Sequence, residues 1–142
     1  MSFVLDASVA LSWLLEDAGA GQAYASAVFD VLGDAEVQAH VPVTWGLELA
    51  NVIAKSEGRN ALPPARSQAF LASIEAAPIL CDSATEKKSL HETLDLARRY
   101  RLSSYDASYL ELALRSGLPL ATLDTDLRRA ASAAGVKLFK PK

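Results

Sequence analysis

At 142 residues and a formal net charge of −3, the chain has the length of one ordinary domain. It carries too little positive charge to coat nucleic acid nonspecifically. Half of it is hydrophobic (51%) and only 7% is aromatic, which suits helices packed on a small sheet. Its one cysteine, Cys81, excludes an internal disulfide and a clustered thiolate metal site, so it reads as an inert, partly buried thiol.

In chain order, Phe3-Val4-Leu5 reads as a buried strand that runs into Asp6. A helical pattern follows at once through Val9, Leu11, Trp13, Leu14 and Leu15. Asp6 interrupts this apolar start, no basic region precedes it, and it is too short to span a bilayer, so a cytoplasmic protein without a membrane segment is expected. A second helix is expected from about Gln22 to Leu32, with Tyr24, Val28, Val31 and Leu32 on one side, and Gly33-Asp34 as its stop. Val37–Val41 alternates as a strand, and Trp45–Glu57 is strongly helical up to Gly58. Pro63 and Pro64 open a helix to about Ala76, and Pro78–Leu80 is a minor strand. Thr85–Tyr100 reads as one helix with Leu90, Leu94 and Ala97 inward and Lys87, Arg98 and Arg99 outward. Ser103 or Ser104 caps a helix that Gly117 ends after Ser116. Leu118–Leu123 reads as a strand, Thr125–Ala134 as a helix stopped by Gly135, and Val136–Phe139 as a last strand. Strands alternating with helices, with no repeat or linker, imply a single, mainly parallel, three-layer α/β domain over residues 1–142.

Four acids stand where such a fold places ligands. In an open α/β sheet the site lies beyond the carboxyl ends of the strands. Asp6 and Asp124 each end an apolar run there. Each also has a capping reading, Asp6 (or Ser8) for the first helix and Asp124 for the helix beginning at Thr125. Glu48 lies one turn from both Trp45 and Val52, at the border of the buried stripe formed by Trp45, Leu49, Val52 and Ile53. A glutamate snorkelling to water and a glutamate needed in a cleft both fit that position. Ser103-Ser104-Tyr105-Asp106 suits a capped helix start with an acid in the first turn. Asp106 nevertheless shares the face of Leu110 and Ala113, with Ser108, Glu111 and Arg115 on the other side. Asp126 reads most simply as decoration of a first turn.

Jointly the acids carry a stronger implication. Two like charges about 4 Å apart cost on the order of 4 kcal/mol at an effective dielectric near 20. A cluster therefore persists only if some acids hold protons or a cation neutralises them. No histidine or cysteine belongs to the pattern, since His40 ends a strand and His91 sits in a charged helix. An all-oxygen donor set selects Mg²⁺ or Mn²⁺ over Zn²⁺. No phosphate-cradling glycine loop and no glycine-flanked serine elbow is present, which leaves nucleotide-binding and hydrolase-triad readings without support.

Val4-Leu5-Asp6-Ala7-Ser8, Pro42-Val43-Thr44-Trp45-Gly46-Leu47-Glu48, Leu102-Ser103-Ser104-Tyr105-Asp106-Ala107-Ser108-Tyr109 and Ala121-Thr122-Leu123-Asp124-Thr125-Asp126 resemble the PIN domain in order and spacing. More narrowly, the chain resembles a VapC-type toxin, the ribonuclease of a toxin–antitoxin pair. The resemblance implies a five-stranded parallel sheet between helices, a homodimer, and a cognate antitoxin whose C-terminal segment lies across the site. It places the family's acidic quartet on Asp6, Glu48, Asp106 and Asp124, its occasional fifth acid on Asp126, and the hydroxyl that partners metal or water on Ser8. Leu127 stands where an aromatic is frequent. The implied activity is Mg²⁺- or Mn²⁺-dependent hydrolysis of RNA phosphodiesters, with Asp6 and Asp124 as the most direct ligands and Glu48 and Asp106 acting through water or orienting the nucleophile.

Two readings compete with this one: a PIN-like nuclease of RNA processing or of DNA, and a non-catalytic module whose acids dock a basic segment. Arg98, Arg99 and Arg101, or Arg128 and Arg129 with Lys137 and Lys140, are candidates to guide a nucleic-acid backbone, each set also readable as a solvated helix face.

Overall fold

The computed structural model describes residues 1–15 and 19–142. Four short strands, β1 (Ser2–Leu5), β2 (Gln38–Val41), β3 (Ile79–Cys81) and β4 (Leu120–Ala121), form a parallel sheet in the order β3-β2-β1-β4. The apolar run of β1 has its cause in that order. As a central strand flanked by parallel partners, it buries Phe3, Val4 and Leu5 completely.

Helices α1 (Ala7–Leu15), α2 (Ala20–Val31), α3 (Trp45–Gly58) and α4 (Pro64–Ala76) follow the first two strands, and α7 (Ser104–Ser116) packs on β1 and β4. Between them, α5 (Thr85–Lys88) passes through a π turn at Ser89–Thr93 into α6 (Leu94–Tyr100), and α8 (Thr125–Ala133) follows β4. Gly117, at φ 69°, closes α7 in the left-handed region that favours glycine, as its position predicts. Among the described residues, no helix is long and apolar enough to cross a membrane.

Four features depart from the sequence reading. Leu90, expected inward, is 79% exposed, while Thr93 is buried. The π turn inserts a residue into the helical repeat and rotates the face that meets the core. Helix α7 is buried on both sides, so Ser108 and Glu111 are inside rather than on an outer face. The segment from the π turn through α6 covers that side, and Arg115 reaches back to Glu111 with Nε–Oε2 at 2.7 Å. Cys81 is exposed because it ends β3, the edge strand.

The expected fifth strand is reduced to a parallel bridge between Leu120 and Leu138. It is held by Leu120 N–H donating to Lys137 O (2.9 Å) and Phe139 N–H donating to Leu120 O (2.8 Å). Its partner β4 has only two residues: Pro119 lacks an N–H, and from Thr122 the chain turns away into the loop that carries Asp124. Phe139 still enters the core, stacked on Phe3 with ring centroids 4.1 Å apart.

Candidate active site

Register explains the centre of the site. Leu5 pairs with Ala121, and Asp6 N–H donates to Ala121 O (2.9 Å), so the next residues of the two strands, Asp6 and Thr122, emerge side by side. Thr122 Oγ1 donates to Asp6 Oδ2 at 2.6 Å, and Ser8 Oγ donates to the same oxygen at 2.7 Å. Both hydroxyls also accept from the loop: Leu123 N–H donates to Ser8 Oγ (3.0 Å) and Asp124 N–H donates to Thr122 Oγ1 (3.0 Å). Asp6, only 3% exposed, is thereby locked to the loop that carries Asp124. Burial raises its pKa, Asp124 pushes in the same direction, and the two hydroxyls oppose them.

Asp124 caps α8, its Oδ2 accepting from Leu127 N–H at 2.8 Å, as one of its two sequence readings proposed. Arg128 braces the same loop: its Nε donates to Thr122 O at 2.7 Å, and its guanidinium lies 5.1 Å from the centroid of the Tyr24 ring. Arg128 is thus engaged within the fold rather than projecting freely toward a ligand. Arg98 pairs with Asp95 (3.6 Å) and Arg129 with Asp126 (3.4 Å), both on the surface.

Glu48 lies in the first turn of α3, half-buried, and its Oε1 accepts from Tyr109 Oη at 2.8 Å. The fully buried Tyr109 also accepts from Ala7 N–H at 3.4 Å, tying Glu48 to the residue after Asp6. Burial pushes the Glu48 carboxyl up to about 7, with Asp6 and Asp106 adding repulsion and Tyr109 pulling it down. Asp106 stands in the first turn of α7, where its own N–H donates to the capping Ser103 Oγ at 3.1 Å. Its carboxyl is pushed up to about 6, by burial first and then by the charges of Asp6, Asp124 and Asp126.

Asp6, Glu48, Asp106 and Asp124 are therefore near enough to feel one another, and the exposed Asp126 lies at the margin. Among the described residues, no three acidic, imidazole or thiol side chains close into a complete set of metal ligands. A hard cation that keeps several waters would need only one or two of these carboxylates as direct ligands. The donor set is entirely oxygen, and the pKa values of Glu48 and Asp106 are raised first by burial and then by repulsion from their acidic neighbours, the part that a divalent ion would relieve.

Tyr109 and Thr122 have no assigned role in the sequence reading. Their signals were a tyrosine three residues after Asp106 on the buried face and a hydroxyl inside an apolar strand. Between the first turns of α3 and α7 opens a cleft of about 490 Å³ lined by Glu48 and Asp106 together with Thr44, Leu47, Ser103 and Tyr105. A larger cavity of about 830 Å³, between α6 and α7, is lined by residues such as Leu96, Leu114 and Arg115, and none of the four acids borders it.

The PIN domain family model matches residues 3–133. The chain belongs to the PIN domain family. PIN domains are typically nucleases, and the match spans all four acids of the site. Solved structures sharing the PIN fold with this chain include PAE2754 from Pyrobaculum aerophilum, at 22% identity and a TM-score of 0.63, covering 92% of this chain and 87% of that one. They also include FitAcB from Neisseria gonorrhoeae, at 20% identity and a TM-score of 0.61, covering 99% of this chain and 98% of that one. Comparison with curated proteins returned no significant match.

Proposed function

We propose that this PIN domain is a Mg²⁺- or Mn²⁺-dependent ribonuclease, the toxin of a VapC-type toxin–antitoxin pair. The observation that carries the nuclease reading is the meeting of Asp6 and Asp124, at the ends of neighbouring parallel strands, with Glu48 and Asp106 from two helix starts. Family membership supports it independently. The narrower assignment to a toxin with a cognate antitoxin and a homodimeric state rests on the sequence resemblance.

Asp6 and Asp124 would hold the cation, and Glu48 and Asp106 would act through water. When bound, a divalent ion supplies charge to the phosphodiester and eases the ionisation of the attacking water. The chain's own contribution is preorganisation. Ser8 and Thr122 fix Asp6 in one orientation, Tyr109 fixes Glu48, and the cap of α8 fixes Asp124. Without the ion the Glu48 pKa is raised to about 7; a divalent ion beside it would draw it lower and leave the carboxylate ready to orient a water.

The test is digestion of total RNA by the purified protein with Mn²⁺, beside single-stranded DNA. RNA cleavage that stops in EDTA and is lost in Asp6→Asn is the expected result. Equal cleavage by that variant, or persistence in EDTA, contradicts the metal mechanism, and preference for DNA contradicts the ribonuclease assignment.

A further inference from the structure

The cleft beside the acids has an apolar lip that neither the fold nor the carboxylate chemistry requires. Leu47, the residue before Glu48, is 72% exposed, and Tyr105, the residue before Asp106, is 59% exposed. Each occupies the first turn of its helix, and both line the same cleft of about 490 Å³ as the two acids. Asn51, exposed and one turn after Leu47, also lines that cleft. An amide carries donors and an acceptor, so it can pair with the edge of a base. The Ser103 hydroxyl is already committed to capping α7.

Glu48 and Asp106 line this cleft beside the other two acids, so a phosphodiester positioned for cleavage there would bring its neighbouring nucleoside against the lip. A flat ring stacks on an aromatic face whatever its sequence, but only when it has left its own helix. We infer that Tyr105 and Leu47 clamp an unpaired nucleobase adjacent to the scissile phosphate, with Asn51 on its edge, and so decide which nucleotide is placed beside the cut. The inference rests on the nuclease reading above and adds to it a specificity-determining pair of residues. A paired base in an A-form stem is stacked within its helix and cannot enter the clamp.

The test uses the full chain with Mn²⁺ and a stem–loop RNA, together with an oligonucleotide series in which one abasic nucleotide is stepped past the cleavage position. The wild type should cut the loop and spare the stem, and one abasic position should lower kcat/KM by about ten- to a hundredfold. Tyr105→Ala should lose a similar factor on intact RNA and become indifferent to that abasic position, while Tyr105→Phe and Tyr105→Trp keep the wild-type pattern. Because Tyr105 is exposed, an unchanged melting temperature separates this loss from misfolding. If the wild type cleaves RNA but Tyr105→Ala behaves identically, the clamp is wrong and the nuclease reading stands. If the wild type cleaves no RNA at all, the nuclease reading itself has failed. If Tyr105→Ala and Leu47→Ser change only the self-association seen by sedimentation, the lip is a protein interface and the inference is overturned.

Discussion

Asp6 sits where water scarcely reaches it, with two hydroxyls donating to one carboxylate oxygen. Those donors stabilise the ionised form against burial, and they also aim the carboxylate. Tyr109 plays the matching part for Glu48, and its effect can be read through pH. Its hydroxyl lowers the Glu48 pKa, which burial has raised to about 7. Tyr109→Phe should therefore move the acid limb of the kcat/KM profile upward and, because Glu48 loses the donor that aims it, also lower the plateau above that limb. An unchanged limb would show that Glu48 ionisation does not govern activity. The acids themselves were legible in the sequence because each follows a strand or opens a helix. Thr122 and Tyr109 were not, because their roles depend on the register of β1 against β4 and on α7 crossing the end of β1.

Among the elements, α7 departs furthest from its expected pattern. An amphipathic reading of Asp106 to Arg115 treats Glu111 as solvent-facing, yet it is 3% exposed and held by Arg115, which also reaches Asp82 at 2.7 Å. The periodicity of a single helix cannot reveal that a later segment covers its outer side. Arg115→Met should leave Glu111 buried without its cation and cost on the order of 2–4 kcal/mol, less than for a fully enclosed pair because Arg115 keeps access to water. Leu90→Gln, on the exposed π turn, should change stability by less than about 0.5 kcal/mol. Urea denaturation of both variants checks the pair, and the reverse order would overturn the described placement of the π turn. The helix over 85–100 could be expected from composition. Its π turn could not, since nothing in Ser89–Thr93 forbids a regular α-helix.

For the molecule as a whole, the parallel α/β architecture followed directly from alternating elements, and the order of the strands brings β1 and β4 together. The missing length of the fifth strand was hidden because the competing demands on Thr122 and Asp124 lie outside the strand itself. The gathered acids also set a global pH dependence. Glu48 at about 7 and Asp106 at about 6 are raised above their ordinary 4.5 and 3.8, so between about pH 4 and pH 7 the folded chain binds more protons than the unfolded one. Their contribution to stability is present at low pH and is lost as pH rises through that window. Asp82, lowered by Arg115, changes protonation below the window and does not offset it. In EDTA the chain should melt a few degrees lower at pH 8 than at pH 5.5, since both carboxyls are half-buried and water softens the effect. Mn²⁺ should raise the melting temperature more at pH 8 than at pH 5.5. A melting temperature in EDTA that climbs from pH 5.5 to pH 8 would mean that burial and neighbouring acids do not raise these two carboxyls.

The most direct measurement is calorimetric titration of Mn²⁺ into the wild type, Asp6→Asn and Asp124→Asn at pH 7.5. The wild type should bind the ion, and each variant should bind it at least about tenfold more weakly while remaining folded. No binding by the wild type, or equal binding by all three, would contradict a cation site built on these carboxylates.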